Sequence, residues 1–180
     1  VITKTRSTTG SWPVYHTSLG SSTYIVLNAT DASAPYSGWF TPNSTTNVFT
    51  STSGGVNANG TTYVAYCFAA IAGYSAFGSY TGNFSTDGPF VFTGFRPRFV
   101  LVKRTDAVET WMMLDTSRDP YNVANWELRP NASDADDNSS PRLDFLSNGF
   151  KLRAATAPNN SGTYIYAAFA ENPFNYSLAR

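Results

Sequence analysis

The stretch Thr163-Tyr-Ile-Tyr-Ala-Ala-Phe-Ala170 predicts the longest β-strand of this 180-residue chain. Its residues are apolar on both faces of an extended backbone, which is typical of a strand in the middle of a buried sheet. The same pattern occurs earlier, because Thr62-Tyr-Val64 matches Thr163-Tyr-Ile165 and Phe68-Ala69 matches Phe169-Ala170. The stretch that predicts a central strand therefore also indicates that the chain repeats itself.

The repeat extends upstream with a nearly constant spacing. The aligned pairs include Lys4 and Lys103, Trp12 and Trp111, Asn28 and Asn131, and Phe49 and Phe150. The offsets run from 99 (103 − 4) to 103 (131 − 28). A period of about 100 residues is the size of a small domain and too long for a solenoid repeat. We predict two tandem copies of one module, residues 1–75 and 76–180, with Trp12 and Trp111 in equivalent positions.

The two copies differ in completeness. Phe77-Gly-Ser-Tyr-Thr-Gly-Asn83 and Pro89-Phe-Val-Phe-Thr-Gly-Phe-Arg-Pro97 precede the aligned part of the second copy, and nothing corresponding precedes Val1. We therefore expect the first module to be N-terminally incomplete in this chain, as a piece of a longer protein. The join between the copies is apolar, so we expect the modules to touch.

The composition excludes some classes of function. Charged residues make up 13%, aromatic residues 16%, and the formal net charge is zero. A neutral chain lacks the basic face that nucleic acids and anionic membranes attract, so we expect neither partner. No stretch approaches the roughly 20 apolar residues of a membrane span. The single cysteine, Cys67, lies in an apolar run and is interpreted as a small buried side chain.

Short alternating strands bounded by turn residues recur along the chain, and helical periodicity is nearly absent. The second module shows about eight such segments: 78–82, 90–93, 99–103, 111–115, 126–129, 143–146, 150–153 and 163–170. Asn148-Gly149 between two of them predicts a hairpin with a type I′ turn, which requires positive φ at both central residues. The pattern predicts an all-β fold built of antiparallel β-sandwich modules.

Few residues have a pattern that indicates catalysis. His16 is the only histidine, and its aligned partner is Asp115, so neither a duplicated triad nor the usual histidine zinc site is possible. A histidine or aspartate before Thr-Ser at the end of a strand is more simply a turn residue that hydrogen-bonds to the backbone. We therefore predict a protein that is not an enzyme and has no cofactor.

One acidic cluster could bind a metal. Asp134, Asp136 and Asp137 lie close together in a polar stretch, and carboxylate oxygens are calcium ligands. The cluster lacks the glycine and the terminal glutamate of an EF-hand loop. The simpler interpretation is a solvated acidic turn, so no metal site is predicted.

Three aromatic residues have no aligned partner. Trp39, Tyr121 and Trp126 lie near polar loops, where an exposed ring could stack on a sugar. These residues are the candidates for glycan contact, although packing over an edge of the sandwich is the simpler interpretation.

Five motifs together resemble a known family. They are the segments Thr62–Ala69, Gly73–Asn83, Asp87–Pro97, Asp144–Arg153 and Thr163–Phe174. They resemble a family of phage tail-associated proteins that is common in marine and environmental phages. The proteins of this family are similar to concanavalin-like lectin and glucanase sandwiches. The resemblance implies a jelly-roll or concanavalin-like fold and a place on the virion surface, in the tail or an appendage, outside the cell.

The resemblance also implies a function and partners. We expect a non-catalytic tail-fibre module that recognises a host-surface glycan or builds the appendage, with other virion proteins as partners. A capsid decoration protein and a glycan-degrading enzyme on the same scaffold are the alternatives. The first module is expected to be incomplete, and lysine, which commonly protects exposed strand edges, occurs only three times in the chain. We therefore expect a homo-oligomer. The resemblance to tail fibres implies a trimer, with residues 1–30 near an interface.

Overall fold

The computed structural model describes residues 1–20, 22–35, 41–42, 49–51 and 54–173. Regular structure in these ranges is almost entirely β, and every strand pair is antiparallel. A short 3₁₀ helix at Thr17–Leu19 and one helical turn at Gly54–Asn57 are the helical elements of the described residues. No helix there is long and apolar enough to cross a membrane. The prediction of an all-β, antiparallel fold is confirmed.

The strands have the following bounds: β1 (Ile2–Thr5), β2 (Pro13–Val14), β3 (Thr23–Val26), β4 (Ala34–Pro35), β5 (Thr41–Pro42), β6 (Phe49–Thr50), β7 (Tyr63–Tyr66), β8 (Ser75–Gly82), β9 (Phe90–Phe92), β10 (Pro97–Arg104), β11 (Trp111–Asp115), β12 (Leu143–Leu146), β13 (Gly149–Leu152) and β14 (Gly162–Ala170).

These strands form three main sheets. The N-terminal sheet has the order β4-β3-β2-β1-β7, the central sheet β11-β10-β14-β8, and the outer sheet β12-β13-β9. Strands β5 and β6 pair separately. The long β14 lies inside the central sheet between β10 and β8, as its sequence predicted.

The central sheet is covered on both faces. On one face, side chains of the central and outer sheets form the larger core, which includes Val100, Leu114, Phe145, Phe150 and Leu152, each at most 1% exposed. On the other face, Trp111 and Ile165 pack with side chains of the N-terminal sheet. The result is three β layers with the central sheet in the middle, and the packing of sheet on sheet is consistent with a β-sandwich.

The two halves of the chain touch, as the apolar join predicted. The Trp111 Nε1 donates to the carbonyl oxygen of Val26 at 2.8 Å, and the Lys103 ammonium donates to that of Thr30 at 3.2 Å. Lys103 is fully buried, and burial lowers its pKa to about 8. A charged group therefore lies in the contact between the N-terminal and central sheets.

The strand register around β1 has a counterpart around β10. Lys4 pairs with Val64, and Lys103 pairs with Ile165. Ile2 pairs with Val14, and the aligned Leu101 pairs with Met113. Both pairings coincide with the sequence alignment, residue for residue.

The two aligned tryptophans make equivalent backbone hydrogen bonds but differ in burial. The amides of Trp12 and Trp111 each donate to an asparagine Oδ1 at 2.8 Å, from Asn28 and Asn131 respectively. Trp111 is only 3% exposed, because it lies between two sheets. Trp12 is half-buried and stacks on Tyr66.

Two local predictions, the turn type of one hairpin and one strand, are wrong. The hairpin between β12 and β13 exists, but Gly149 already pairs with Leu146 as the first residue of β13, and neither Asn148 nor Gly149 has positive φ. A glycine is needed at this place because an added Cβ would overlap the carbonyl oxygen of Val91. The predicted strand at 126–129 is reduced to isolated bridges at Glu127 and Leu128.

The prediction that Cys67 is buried is also wrong, since its thiol is exposed. Strand β7 ends at Tyr66 on the edge of the N-terminal sheet. The aligned Ala168 is fully buried because β14 continues to Ala170 inside the central sheet. Equal sequence patterns therefore lead to different burial at an edge and in a centre.

Candidate functional site

The structure describes two of the three predicted glycan contacts, Tyr121 and Trp126. Tyr121 is 83% exposed. Trp126 is half-buried, and its backbone amide donates to the Asp119 carboxylate at 2.7 Å. No ring contact joins Tyr121 and Trp126, and Trp39 lies outside the described residues.

His16 and Asp115 are turn residues, as their sequence context predicted. The Nδ1 of His16 accepts from the Ser18 amide at 3.1 Å, and the Asp115 carboxylate accepts from the aligned Ser117 amide at 2.9 Å. The other ring nitrogen of His16 lies 3.0 Å from the carbonyl oxygen of Tyr166. Burial lowers the pKa of His16, which favours a neutral ring.

The acidic cluster is tied to arginines. The Asp137 carboxylate accepts from the Ser139 amide at 2.8 Å and from Arg129 at 3.0 Å. Hydrogen bonding to Ser139 first, and then the charges of Arg142 and Arg129, lower the pKa of Asp137. Asp134 lies 3.7 Å from the same arginine, while Asp136 is exposed. Within the described ranges no group of three His, Cys, Asp or Glu side chains could hold a metal ion.

Next to this cluster lies a buried ion-pair network that sequence reasoning missed. Glu127 is fully buried, with Arg129 at 2.6 Å and Arg142 at 2.7 Å. The contact with Arg142 lies outside hydrogen-bond geometry, so its attraction is mainly Coulombic. The spacing of Glu127 and Arg129 places them on one side of an extended segment, but nothing in the sequence points to Arg142.

An apolar cleft of about 430 Å³ opens between the N-terminal and central sheets. Its lining comprises Val1, Ile2, Val14, Tyr15, His16, Thr17, Leu27, Phe68, Ala69, Ala70, Phe77, Phe99, Leu101, Trp111, Met113, Pro130, Ile165, Tyr166, Ala167 and Phe169. Both ring nitrogens of His16 have partners already, so this side chain adds no free polar group to the lining. The cleft therefore favours an apolar occupant.

The segment after β7 adds to this apolar surface. Phe68 lines the cleft, is 49% exposed, and places its ring 5.8 Å from that of Phe169. Tyr66 and Ile71 in the same segment are 46% and 53% exposed. We call residues 66–71 together with the cleft the apolar face.

A second exposed surface lies on the outer sheet. Phe90 and Phe92 are 45% and 65% exposed, while Val91 between them is buried against the core. Strand β9 is at the edge of its sheet, and its two phenylalanines lie on the face turned away from the central sheet. We call Phe90 and Phe92 the aromatic strip.

Charged groups border the aromatic strip. Lys151 pairs in register with Phe90 on one side and with Asp144 on the other. Its ammonium lies 2.6 Å from Asp87, and this hydrogen bond lowers the pKa of the aspartate. Arg153 lies 2.6 Å from Asp144. The strip therefore has two ion pairs beside it.

The loop that leads into β9 is hydrogen-bonded to a buried asparagine. Asn159 is fully buried and donates to Asn83 and to the carbonyl oxygens of Ser85 and Ala154. Phe84 in this loop is 62% exposed and has φ 57, an uncommon value for a non-glycine residue.

Comparison with known proteins gives one family. A model described as a domain of unknown function, DUF7483, matches residues 1–173. No curated protein and no solved structure matches the chain.

Proposed function

We propose that this chain, which belongs to the DUF7483 family, is a non-catalytic module of a virion surface appendage such as a tail fibre. It serves host-surface recognition or builds the appendage, and it assembles with copies of itself through the apolar face. The virion setting rests on the sequence resemblance to phage tail-associated proteins. The assembly rests on the structure of the apolar face.

We also propose that the fold consists of two related modules. Two copies of one concanavalin-like or jelly-roll module, residues 1–75 and 76–180, would explain why β10 repeats the register of β1. They would also explain why Trp12 and Trp111 bind aligned asparagines at the same distance of 2.8 Å. Ile2 and Leu101, which the alignment pairs, pack in one hydrophobic cluster. This packing supports a face-to-face arrangement of related sheets.

The apolar face is the observation that carries the proposal. An open cleft of about 430 Å³ with an apolar lining exposes hydrophobic surface to water, which is unfavourable for an isolated chain. Residues 1–30 supply one wall, and residues 66–71 supply exposed apolar side chains beside it. Apolar residues 66–71 of a second copy would match the chemistry of the cleft, and repeating this contact round a threefold axis would close a trimer.

The carboxylates support a binding role over the alternative of a glycan-degrading enzyme. A glycosidase needs one carboxylic acid with a raised pKa. In the described residues the aspartates with a shifted pKa have it lowered; for Asp115, burial acts to raise the pKa, but hydrogen bonds from Arg118 and Ser117 outweigh it. Asp144 is paired with Arg153. The lowered pKa values keep Asp87, Asp106, Asp115 and Asp137 ionised, which suits ion pairing better than proton donation.

Light scattering on the purified chain tests the assembly. We expect a particle of three times the 19.6 kDa chain mass, and dissociation when Phe68→Ser and Ile71→Ser are combined. Val108→Ser is the matched control, because this side chain is 69% exposed and lies outside the apolar face. A monomer at every concentration would refute assembly through this face.

Antibody labelling of intact particles tests the virion setting. Label on the tail or an appendage supports the proposal, label distributed over the capsid supports a decoration protein, and no label on particles contradicts both. A panel of bacterial surface polysaccharides tests the enzyme alternative. Release of oligosaccharide that disappears in Asp115→Asn or Asp144→Asn would establish an enzyme.

A further inference from the structure

We propose that the aromatic strip of β9 is a glycan-binding site, with Phe90 and Phe92 as stacking platforms for sugar rings and Lys151 and Asp87 as hydrogen-bonding groups. This inference rests on the proposed recognition role and gives it a place on the molecule. The site differs from the aromatic residues that the sequence indicated, Trp39, Tyr121 and Trp126.

Both rings of the strip lie over glycines. A Cβ added to Gly149 would come within 2.9 Å of two ring carbons of Phe90, and a Cβ added to Gly94 would lie 3.8 Å from two ring carbons of Phe92. The Phe90 ring therefore lies against the backbone of the neighbouring strand β13, the Phe92 ring lies near the backbone just after β9, and both rings leave much of their surface in solvent. The electron-rich face of an exposed ring attracts the partly positive C–H groups of a sugar.

The spacing of the strip suits a chain of sugars. Phe90 and Phe92 are two residues apart on one face of β9, which places their Cα atoms about 6.6 Å apart. A glycan that runs parallel to the strand would meet the two rings in succession.

The polar groups beside the rings match the hydroxyls of a sugar. Lys151 lies directly across from Phe90 in the sheet, and its partner Asp87 has a side chain that is 83% exposed. Lysine donates and aspartate accepts, so the pair offers both hydrogen-bond roles at one edge of the strip. The ion pair places the two groups side by side at this edge.

The same polar groups disfavour a protein strand as the occupant. Among the described residues β9 is the last strand of the outer sheet, so a strand of another chain could pair with its main-chain groups. An apolar partner laid over the strip would bury the Asp87–Lys151 pair and remove its water, and desolvating an ion pair is costly. Glycan hydroxyls replace the lost water with hydrogen bonds. The border of charges therefore favours a sugar.

The approach to the strip is rigid. Buried Asn159 fixes the loop of residues 83–88, which carries Asp87 and leads into Phe90. Gly88 within it packs so closely that a Cβ would lie 2.6 Å from the Leu152 carbonyl oxygen. A site fixed in advance loses less conformational entropy when it binds.

The test is a binding array of bacterial surface polysaccharides together with β-linked glucose and N-acetylglucosamine oligomers, followed by calorimetry on the best-bound member. We expect saturable binding, with the dissociation constant raised about tenfold in Phe92→Ala and in Phe90→Ala. Phe92→Tyr keeps an aromatic face and is expected to bind as the unaltered protein does. Tyr121→Ala is the matched control, because that ring is exposed but lies outside the strip.

Several results would overturn the inference. They are unchanged affinity in both strip variants, loss of affinity in Tyr121→Ala instead, or no binding to any member of the array. A smaller particle mass in Phe92→Ala would show that β9 is a contact between copies, and would overturn it too. Thermal unfolding of each variant shows that it is folded. Particle labelling remains a separate measurement, so a negative array with labelled appendages refutes the strip and leaves the proposed function standing.

Discussion

Replacing Glu127 by glutamine removes a negative charge that is fully buried beside two arginines. Arg142 is itself buried, with its side chain 8% exposed, and its Nε lies 2.7 Å from Glu127. A buried charge that loses its partner typically costs 3–5 kcal/mol. Asp137 stays 3.4 Å from Arg142 and compensates in part. We therefore expect a loss near the lower end, about 3 kcal/mol of unfolding free energy, which corresponds to a fall of roughly 6–12 °C in Tm for a chain of this size.

Urea unfolding followed by tryptophan fluorescence measures this loss. Asp87→Asn is the control, because it breaks a salt bridge at 2.6 Å whose carboxylate is 83% exposed, and we expect no measurable change in its midpoint. The double variant Glu127→Leu/Arg142→Met removes both buried charges and should recover much of the stability that Glu127→Gln loses. A cost below about 1 kcal/mol for Glu127→Gln, or a double variant no better than the single one, would refute the reasoning.

Three further predictions concern stability. Burial lowers the pKa of Lys103 to about 8 from 10.5, so the unfolded chain binds more protons between these values. Compared with Lys103→Met, the unaltered protein should gain about 2.5 kcal/mol of unfolding free energy between pH 7 and pH 10, measured by urea unfolding. Equal pH profiles for the two proteins would contradict this. Gly149→Ala places a Cβ against the Val91 carbonyl oxygen and should lower the free energy of unfolding by more than about 2 kcal/mol. Gly60→Ala, at a position with positive φ and open space, should lower it by about 1 kcal/mol. Equal losses would contradict the close packing at Gly149. Asn159→Ala leaves the Asn83 amide and the Ser85 carbonyl oxygen without this partner, so we expect the free energy of unfolding to fall by about 1–3 kcal/mol. Amide hydrogen exchange in residues 83–85 should become faster, and unchanged exchange would contradict the prediction.

The sequence predicts strands well where the pattern is local. β11 has the predicted bounds. β14 is apolar on both faces and lies inside its sheet, between β10 and β8. The matching pattern at residues 62–69 indicates a buried strand equally well, yet Phe68 is 49% exposed. Periodicity reports which residues share a face, and only the tertiary arrangement decides whether another layer covers that face.

In the candidate sites, too, local sequence pattern predicts some features, and others depend on the tertiary arrangement. Alternation places Phe90 and Phe92 on one face and Val91 on the other, but it does not say which face meets the core. The buried Glu127 depends on Arg142, fifteen positions away (142 − 127), and such a pair has no local signal. Turn chemistry was predictable at His16 and Asp115, because the hydrogen bonds span only two residues.

The order of the layers allows assembly and recognition to be separate. The apolar face lies between the N-terminal and central sheets, whereas the aromatic strip lies on the far side of the outer sheet. Copies that join through the apolar face would leave every strip in solvent, so a trimer would present three strips at once. Weak sugar contacts then combine, because the second and third binding events are intramolecular. Loss of the trimer would lower avidity for a repetitive surface and leave the affinity of each strip unchanged, whereas loss of Phe92 would lower both.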